Sequence, residues 1–253
     1  MKPRLIILGS DRDDLGYLYQ QVQDIADVCG VVIEKPVGRL KVFGRRVKRF
    51  GLIQALGQAK FVLFFLPVIR FMSSARVKEI REKYAFDKND IPSELVHQVL
   101  SVNDDKTASL IQQLAPTTAL VYGTRLIASR TLKKIGIPFI NIHAGITPRY
   151  RGGHGAYWAL AEGKPELAGV TVHRIDAGID TGEILAQSLI HPTSADTIVT
   201  YPLLQLREGA RLVCDLLAGH ESHQLIKTEE TTDRLYTHPS VWEYLFYLSK
   251  GVH

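Results

Sequence analysis

Two cysteines, Cys29 and Cys214, are the only thiols in this chain of 253 residues, and they stand far apart in sequence. That scarcity argues against a disulfide scaffold of the kind that staples small secreted domains. Two buried, reduced thiols in a reducing compartment are expected instead. No group of His or Cys has metal-ligand spacing, so no metal centre is expected. Low-complexity tracts and internal repeats are absent, and with 45% hydrophobic and 23% charged residues the makeup is that of a globular protein rather than a disordered one. Long apolar runs are missing too. The N-terminal run, Met1 to Gly9, is too short for a secretory segment and passes straight into Ser10-Asp-Arg-Asp-Asp14. The run Phe61–Ile69 is too short to span a bilayer and is interrupted by Pro67. These features predict a soluble, cytoplasmic protein with no membrane span.

Basic residues are in excess. The net charge is +5 and the sequence pI is about 9.1. Much of the excess lies in Arg39-Leu-Lys41-Val-Phe-Gly-Arg45-Arg46-Val-Lys48-Arg49. Such a segment can attract phosphates, nucleic acid, a membrane surface or a polyanionic cofactor, or it can be a solvated loop and helix start.

Apolar stretches bounded by turn residues alternate with segments of helical period. Strands are expected at 5–8, 31–33, 61–66, 96–102, 118–122 and 137–142. Helices are expected from Asp14 to about Val28, from about Phe50 to Ala59, and over 104–114, 126–134 and 197–217. Residues 70–90 begin helical and turn polar around Phe86–Asp90, which lengthens one connection and suggests an insertion beside the site. The alternation implies an α/β fold: a Rossmann-like, doubly wound and mostly parallel sheet, with ligand groups beyond the carboxyl ends of its strands. Residues 1–192 form the main domain. Residues 193–253 form a C-terminal helix and an aromatic-rich tail packed on it, and a homodimer is compatible with this organisation.

Two blocks carry candidate chemistry. The first is Phe139-Ile-Asn141-Ile-His143-Ala-Gly145-Ile-Thr-Pro148-Arg-Tyr-Arg151-Gly-Gly-His154-Gly. A strand ending in Asn-x-His places both polar side chains on one side, and a loop rich in Gly and Pro follows. An amide donor beside an imidazole suits a developing oxyanion, although a capping or core-satisfied pair gives the same pattern. The second block is Gly169-Val-Thr-Val-His173-Arg-Ile-Asp176-Ala-Gly-Ile-Asp180-Thr-Gly182-Glu-Ile-Leu. Asp176 reads as the cap of its own turn. Asp180 is one carboxylate more than that turn needs.

Asn-Ile-His, Pro-Arg-Tyr-Arg-Gly and the His173 to Asp180 segment, in this order, resemble the signature of the folate-dependent formyltransferases. That family includes the glycinamide ribonucleotide, methionyl-tRNA and sugar-nucleotide enzymes. The resemblance is strongest from Thr117 to Gln187. It implies that Asn141, His143 and Asp180 are catalytic and that 10-formyltetrahydrofolate is the formyl donor. It implies a folate pocket formed by Tyr122, Gly123, Arg125 and Leu126 together with Asp176, Ala177, Gly178, Ile179 and Asp180. In that chemistry Asn141 and a protonated His143 donate to the oxyanion, while Asp180 raises the histidine pKa and helps to remove the amine's proton.

Several departures narrow the acceptor. Where the ribonucleotide enzymes have a glycine-rich phosphate loop, this chain reads Gly9-Ser-Asp-Arg-Asp-Asp-Leu-Gly16, with carboxylates in the would-be cradle. The residues after 195 are too few for the C-terminal barrel of the tRNA-formylating enzymes. The family's usual Ser-Leu-Leu-Pro is Gly145-Ile-Thr-Pro148 here. An amino sugar on a nucleotide, or another small amine, is the expected acceptor. Arg149, Arg151, His154 and Tyr157 are its expected contacts, although the two arginines suit salt bridges equally well. His173 is expected to support the strand end. The alternatives are a methionyl-tRNA or glycinamide ribonucleotide formyltransferase, a formyltetrahydrofolate hydrolase, and a non-enzymatic polyanion-binding module.

Overall fold

A computed structural model describes residues 2–86, 90–220, 225–226, 228 and 234–253. In chain order its elements are β1 (Arg4–Gly9), α1 (Arg12–Val22), β2 (Asp27–Glu34), α2 (Arg39–Phe50), α3 (Leu52–Lys60), a π-helical turn (Phe61–Phe65), α4 (Leu66–Met72) and α5 (Ser74–Lys83). There follow β3 (Val96–Val99), α6 (Asp105–Leu114), β4 (Thr118–Tyr122), α7 (Ser129–Ile135), β5 (Phe139–His143), β6 (Arg151–Gly152) and α8 (Gly155–Ala161). The chain closes with β7 (Gly169–Arg174), β8 (Ile184–Leu189), α9 (Tyr201–Leu217), β9 (Leu235–Tyr236) and α10 (Val241–Leu248).

Seven strands form one sheet in the order β3-β2-β1-β4-β5-β7-β8. The first five strands in that order run parallel, β7 runs antiparallel to β5, and β8 runs antiparallel to β7. This is the expected doubly wound, mostly parallel arrangement. Alternation along β1 builds both faces at once. Leu5 and Ile7 join Leu15, Leu18 and Val22 of α1 and Leu206, Ala210 and Val213 of α9. Ile6 and Leu8 join Ala108 and Ile111 of α6 and Ile135 of α7. A third cluster, rich in tyrosine and centred on α8, unites Phe61 with Tyr150, Tyr157, Trp158, Tyr236 and Tyr244, so the C-terminal aromatics pack on the domain.

The helix predicted from Asp14 to Val28 is shorter. Asp11 caps it, accepting from the Asp13 and Asp14 amides, and it ends at Val22. The segment between β2 and β3 departs most from expectation. Arg39–Arg49 is a helix, and Phe61–Leu66 is helical rather than a strand. Its six apolar residues pair with no strand of the sheet and instead continue α3 into α4. Pro67 does not break the run. It lacks an N–H and its ring would strike the carbonyl four residues back, but the π turn just ahead of it widens the helix. Leu52–Met72 is therefore 21 residues of continuous helix, long and apolar enough by length and composition to cross a membrane. The short-run reading of Phe61–Ile69 is corrected accordingly. Beyond it, Ile80 and Phe86 enter the core, and Phe86 stacks on Tyr17 with ring centroids 3.9 Å apart. The middle of the polar stretch Phe86–Asp90 lies outside the described residues.

One buried acid ties the sheet to the loop after β4. Glu34 at the end of β2 accepts from the amides of Val102 (2.7 Å) and Arg125 (3.0 Å) and pairs with the Arg125 guanidinium. Glu34→Ala removes the only carboxylate partner described for that guanidinium and leaves two amides without their acceptor. It should lower stability by about 3–5 kcal/mol and the thermal midpoint by roughly 10 °C. An unchanged melting curve would refute this role.

Candidate functional site

Strands β4 and β5 end side by side, with Val121 paired to Asn141. Strand β7 runs antiparallel to β5 and sets Asn141 directly opposite His173. Beyond these ends lies a cleft of about 350 Å³, lined by 121–127, 141–144, Gly152, His173 and most of 175–180. Its position follows from the topology, since polar groups at parallel strand ends have no further strand to pair with.

Asn141, His143 and Asp180 meet at this cleft. Asp180 Oδ2 accepts from the Gly152 N–H at 2.8 Å and lies 3.4 Å from His143 Nδ1. Its Oδ1 lies 3.7 Å from His173 Nε2. Asp180 has a left-handed backbone, φ 54°, which re-aims its carboxylate out of its own turn and toward β5. Asp176 stays in the turn, accepting from the Gly178 amide and the Thr181 hydroxyl. Burial pushes the Asp180 carboxyl up, but His143, His173 and the Gly152 amide outweigh it and hold the group below the ordinary carboxylate range.

His143 is almost fully buried, and its Nε2 donates to the Tyr150 carbonyl at 2.7 Å. A carbonyl only accepts, so this bond assigns the proton to Nε2 and leaves Nδ1 facing Asp180. Burial is the largest influence on the ring and pushes its pKa down. Asp180 and the Tyr150 carbonyl push it up, His173 pushes it down, and the net shift is downward. The expectation of a raised histidine pKa is therefore reversed, because desolvation of the imidazolium outweighs one neighbouring charge. Asn141 Nδ2 donates to His173 Nε2 at 3.1 Å, and His173 Nδ1 donates to the Arg174 carbonyl at 2.8 Å. That chain fixes the Asn141 amide and leaves it a second N–H.

Two glycines make the packing possible. A Cβ on Gly145 would strike the Tyr150 carbonyl and approach His143 Nε2 to 2.9 Å. Gly152, at φ 99°, lies against the Tyr236 backbone where β6 pairs with β9.

Of the expected pocket residues, Tyr122, Gly123, Arg125, Leu126, Asp176, Gly178 and Ile179 line the cleft. Ala177 lies in the same loop without lining it. Arg125 has its guanidinium committed to Glu34 and to the carbonyls of Lys35 and Leu100. Arg149 pairs with Glu162 at 2.8 Å. Arg151 lies in β6 opposite Leu235. Tyr157 is fully buried against Trp158 and Tyr244, away from the cleft. His154 lines a second hollow, also about 350 Å³, with Arg46, Arg49 and His238. This hollow shares Gly152 and Ile179 with the cleft. His154 and His238 contact each other through Nε2 and Nδ1, and burial followed by the charge of Arg46 pushes His154 down to about 4. Gly152, the Tyr150 carbonyl and His238 were not foreseen, and Arg46 and Arg49 were singled out only as part of the basic segment, without a place beside this site. Two of these act through the backbone, and the others arrive from distant segments. Among the described residues no group of His, Cys, Asp and Glu can hold a metal ion.

The chain belongs to the formyl transferase family. The sequence model of that family, described as "Formyl transferase", matches residues 70–206. A methionyl-tRNA formyltransferase of Pelotomaculum thermopropionicum is 35% identical over 126 residues, covering 48% of this chain and 39% of that protein. One from Geobacter sulfurreducens is 38% identical over 106 residues, covering 41% and 32%. The match thus spans about two fifths, or less, of those curated relatives. Among solved structures, a phosphoribosylglycinamide formyltransferase of Brucella melitensis aligns over 90% of this chain and 100% of its own, with a TM-score of 0.56 and 20% identity. A 4-N formyltransferase of Francisella tularensis aligns over 97% and 87%, with a TM-score of 0.54 and 14% identity. At these identities the likeness shows the fold.

The geometry predicts that the His143 ring, followed by nitrogen-resolved NMR, titrates below the ordinary histidine value of about 6.5. Asp180→Asn removes the main influence raising it and should move the midpoint lower still. A midpoint above the ordinary value would contradict the burial argument.

Proposed function

We propose that this protein transfers a formyl group from 10-formyltetrahydrofolate to the amine of a small, phosphate-bearing acceptor, with an amino sugar nucleotide as the leading candidate. The convergence of Asn141, His143 Nδ1 and Asp180 at the mouth of one cleft carries this reading. Residues 122–126 and 175–180 offer backbone donors and acceptors between the side chains of Leu126, Ile127, Ile142 and Ile175, which suits a flat heterocycle with polar edges. When bound, the folate supplies the formyl carbon.

An amine attacking that carbon puts negative charge on the formyl oxygen and positive charge on its own nitrogen. The free N–H of Asn141 meets the oxygen. His143, neutral at Nδ1, accepts the amine's proton, and the imidazolium so formed lies between the Tyr150 carbonyl and the Asp180 carboxylate until it returns that proton to the carrier nitrogen, whose bond to the formyl carbon breaks as the new amide forms. This assignment gives His143 the role of base, where the sequence alone suggested a second oxyanion donor.

The acceptor's charge has a place in the second hollow. Arg46 and Arg49 line it, and it adjoins the cleft at Gly152 and Ile179. The turn after β1 is an unsuitable cradle. Asp11 is spent on capping α1, and half-buried Asp14 is pushed up to about 7 by desolvation and then by Asp11.

Incubation with 10-formyltetrahydrofolate and a panel of amines should release tetrahydrofolate only with an accepted amine. No release with any amine would sink the proposal, and release into water alone would mark a hydrolase. Asn141→Ala should retain the melting temperature and lose about 3–4 kcal/mol of transition-state stabilisation, a rate loss of a hundredfold or more. Arg46→Ala and Arg49→Ala should each raise KM for a phosphate-bearing acceptor by about tenfold with kcat little changed. Equal losses with an uncharged amine would contradict that assignment.

A further inference from the structure

The segment between β2 and β3 exposes more apolar surface than its fold requires. Of the Leu52–Met72 helix only Ala55, Gly57, Gln58, Phe61, Leu66 and Ile69 are buried. Its inner face, with Ala55, Phe61, Leu66 and Ile69, packs on the domain. Its outer face presents Ile53, Leu63, Phe64, Val68, Phe71 and Met72, with Phe71 81% exposed. Helix α10 packs against α3, where a Cβ on Gly57 would meet the Trp242 ring, and adds exposed Trp242, Leu245 and Phe246. The far ends of α4 and α10 border a common apolar hollow of about 340 Å³, so the two helices present one continuous surface.

The segment that carries most of this surface is charged with one sign. From Lys35 to Lys78 the sequence holds eleven Lys and Arg and no Asp or Glu. Helix α2, which leads directly into α3, buries none of its residues fully. Helical spacing puts Lys41, Arg45 and Lys48 on one stripe, and all three are exposed. Arg46 and Arg49 lie around the helix from them, at the acceptor hollow. The one acid within this patch, Glu243, is used internally, accepting from Gln54 and from the Ser240 amide and hydroxyl.

We infer that this face seats the protein on an anionic lipid bilayer. An apolar helical surface flanked by a basic amphipathic helix, with a tryptophan at its margin, is the pattern of a helix lying in the interface between headgroups and acyl chains. The helix lies on the membrane rather than crossing it. Gln58 is bonded to Thr237 and Gln54 to Glu243, and buried Phe61, Leu66 and Ile69 belong to the aromatic core, so insertion across the bilayer would take the fold apart. Exposed Lys60 and Arg70 can extend to the phosphate level from the helix flank. Phosphate groups match Lys41, Arg45 and Lys48, whereas a second copy of this chain would bring equally basic helices together. The inference stands independently of the proposed reaction.

The test uses the full chain with vesicles of phosphatidylglycerol and phosphatidylethanolamine, and with vesicles of phosphatidylcholine alone. Cosedimentation with the anionic vesicles is expected, weakened by salt and far lower with phosphatidylcholine. Brominated acyl chains should quench Trp242, and Trp242→Phe should lose that quench, since Trp158 is buried. Lys41→Glu/Arg45→Glu/Lys48→Glu and, separately, Phe64→Gln/Phe71→Gln should each cut partitioning by about tenfold or more at an unchanged melting temperature. Absence of wild-type cosedimentation or of acyl-chain quenching would overturn the inference. So would a stable dimer in sedimentation velocity that Phe64→Gln/Phe71→Gln dissociates, because the face would then be covered by a second copy.

Discussion

The carboxylate of Asp180 is the constraint around which the candidate site is arranged. Burial alone would drive it toward its neutral form; the Gly152 amide on β6 donates to it and opposes that drive, and the rings of His143 on β5 and His173 on β7 bound its two oxygens at 3.4 and 3.7 Å. A fixed negative charge in a mostly dry place costs nothing further at the moment a proton arrives on His143. That is the physical sense of a preorganised site. The left-handed backbone at Asp180 is the local strain that the surrounding contacts sustain.

Gly152 in turn depends on the C-terminal tail. Strand β9 pairs with β6, the Gly153 amide donates to the Tyr236 carbonyl, and Trp158 donates to the Thr237 carbonyl. Glu162 gathers Arg149, Tyr150 and Tyr236 from both sides of that pairing. The aromatic tail is thus part of the scaffold that aims the Asp180 clasp. The same tail brings His238 to His154 and α10 to α3, so the acceptor hollow and the exposed apolar face adjoin through the one helix α2. One side of that helix serves the hollow, and the other faces outward.

Much of this was legible in the sequence, for a physical reason. Strands β1, β4 and β5 are buried on both faces, so their continuous apolar runs mark them plainly, and Asn-x-His at the end of one such run announces a polar pair on one side. Asp180 was separable from Asp176 because one turn needs only one capping carboxylate. The helix through Phe61–Leu66 was not legible, since a short apolar run fits a buried strand as well as a helix and Pro67 argued for interruption. Only the π turn resolves that conflict. Tyr157 follows the strand of Asn141 and His143 closely but enters the core, because helical period turns it inward. The amide of Gly152 and the carbonyl of Tyr150 carry no side-chain signal at all. The sign of the His143 shift depended on burial, which no spacing of residues reports.

In the proposed reaction His143 is a neutral base held by the Asp180 charge. The decisive measurement is the pH dependence of kcat/KM for formyl transfer, with a minimally basic amine acceptor so that the acceptor's own ionisation does not intrude. The expected rate rises with pH to a plateau, with its midpoint below the ordinary histidine value of about 6.5. With Asp180→Asn the midpoint moves lower and the plateau falls. A rate that is highest when His143 is protonated, and that falls as pH rises through its pKa, would contradict its role as a base.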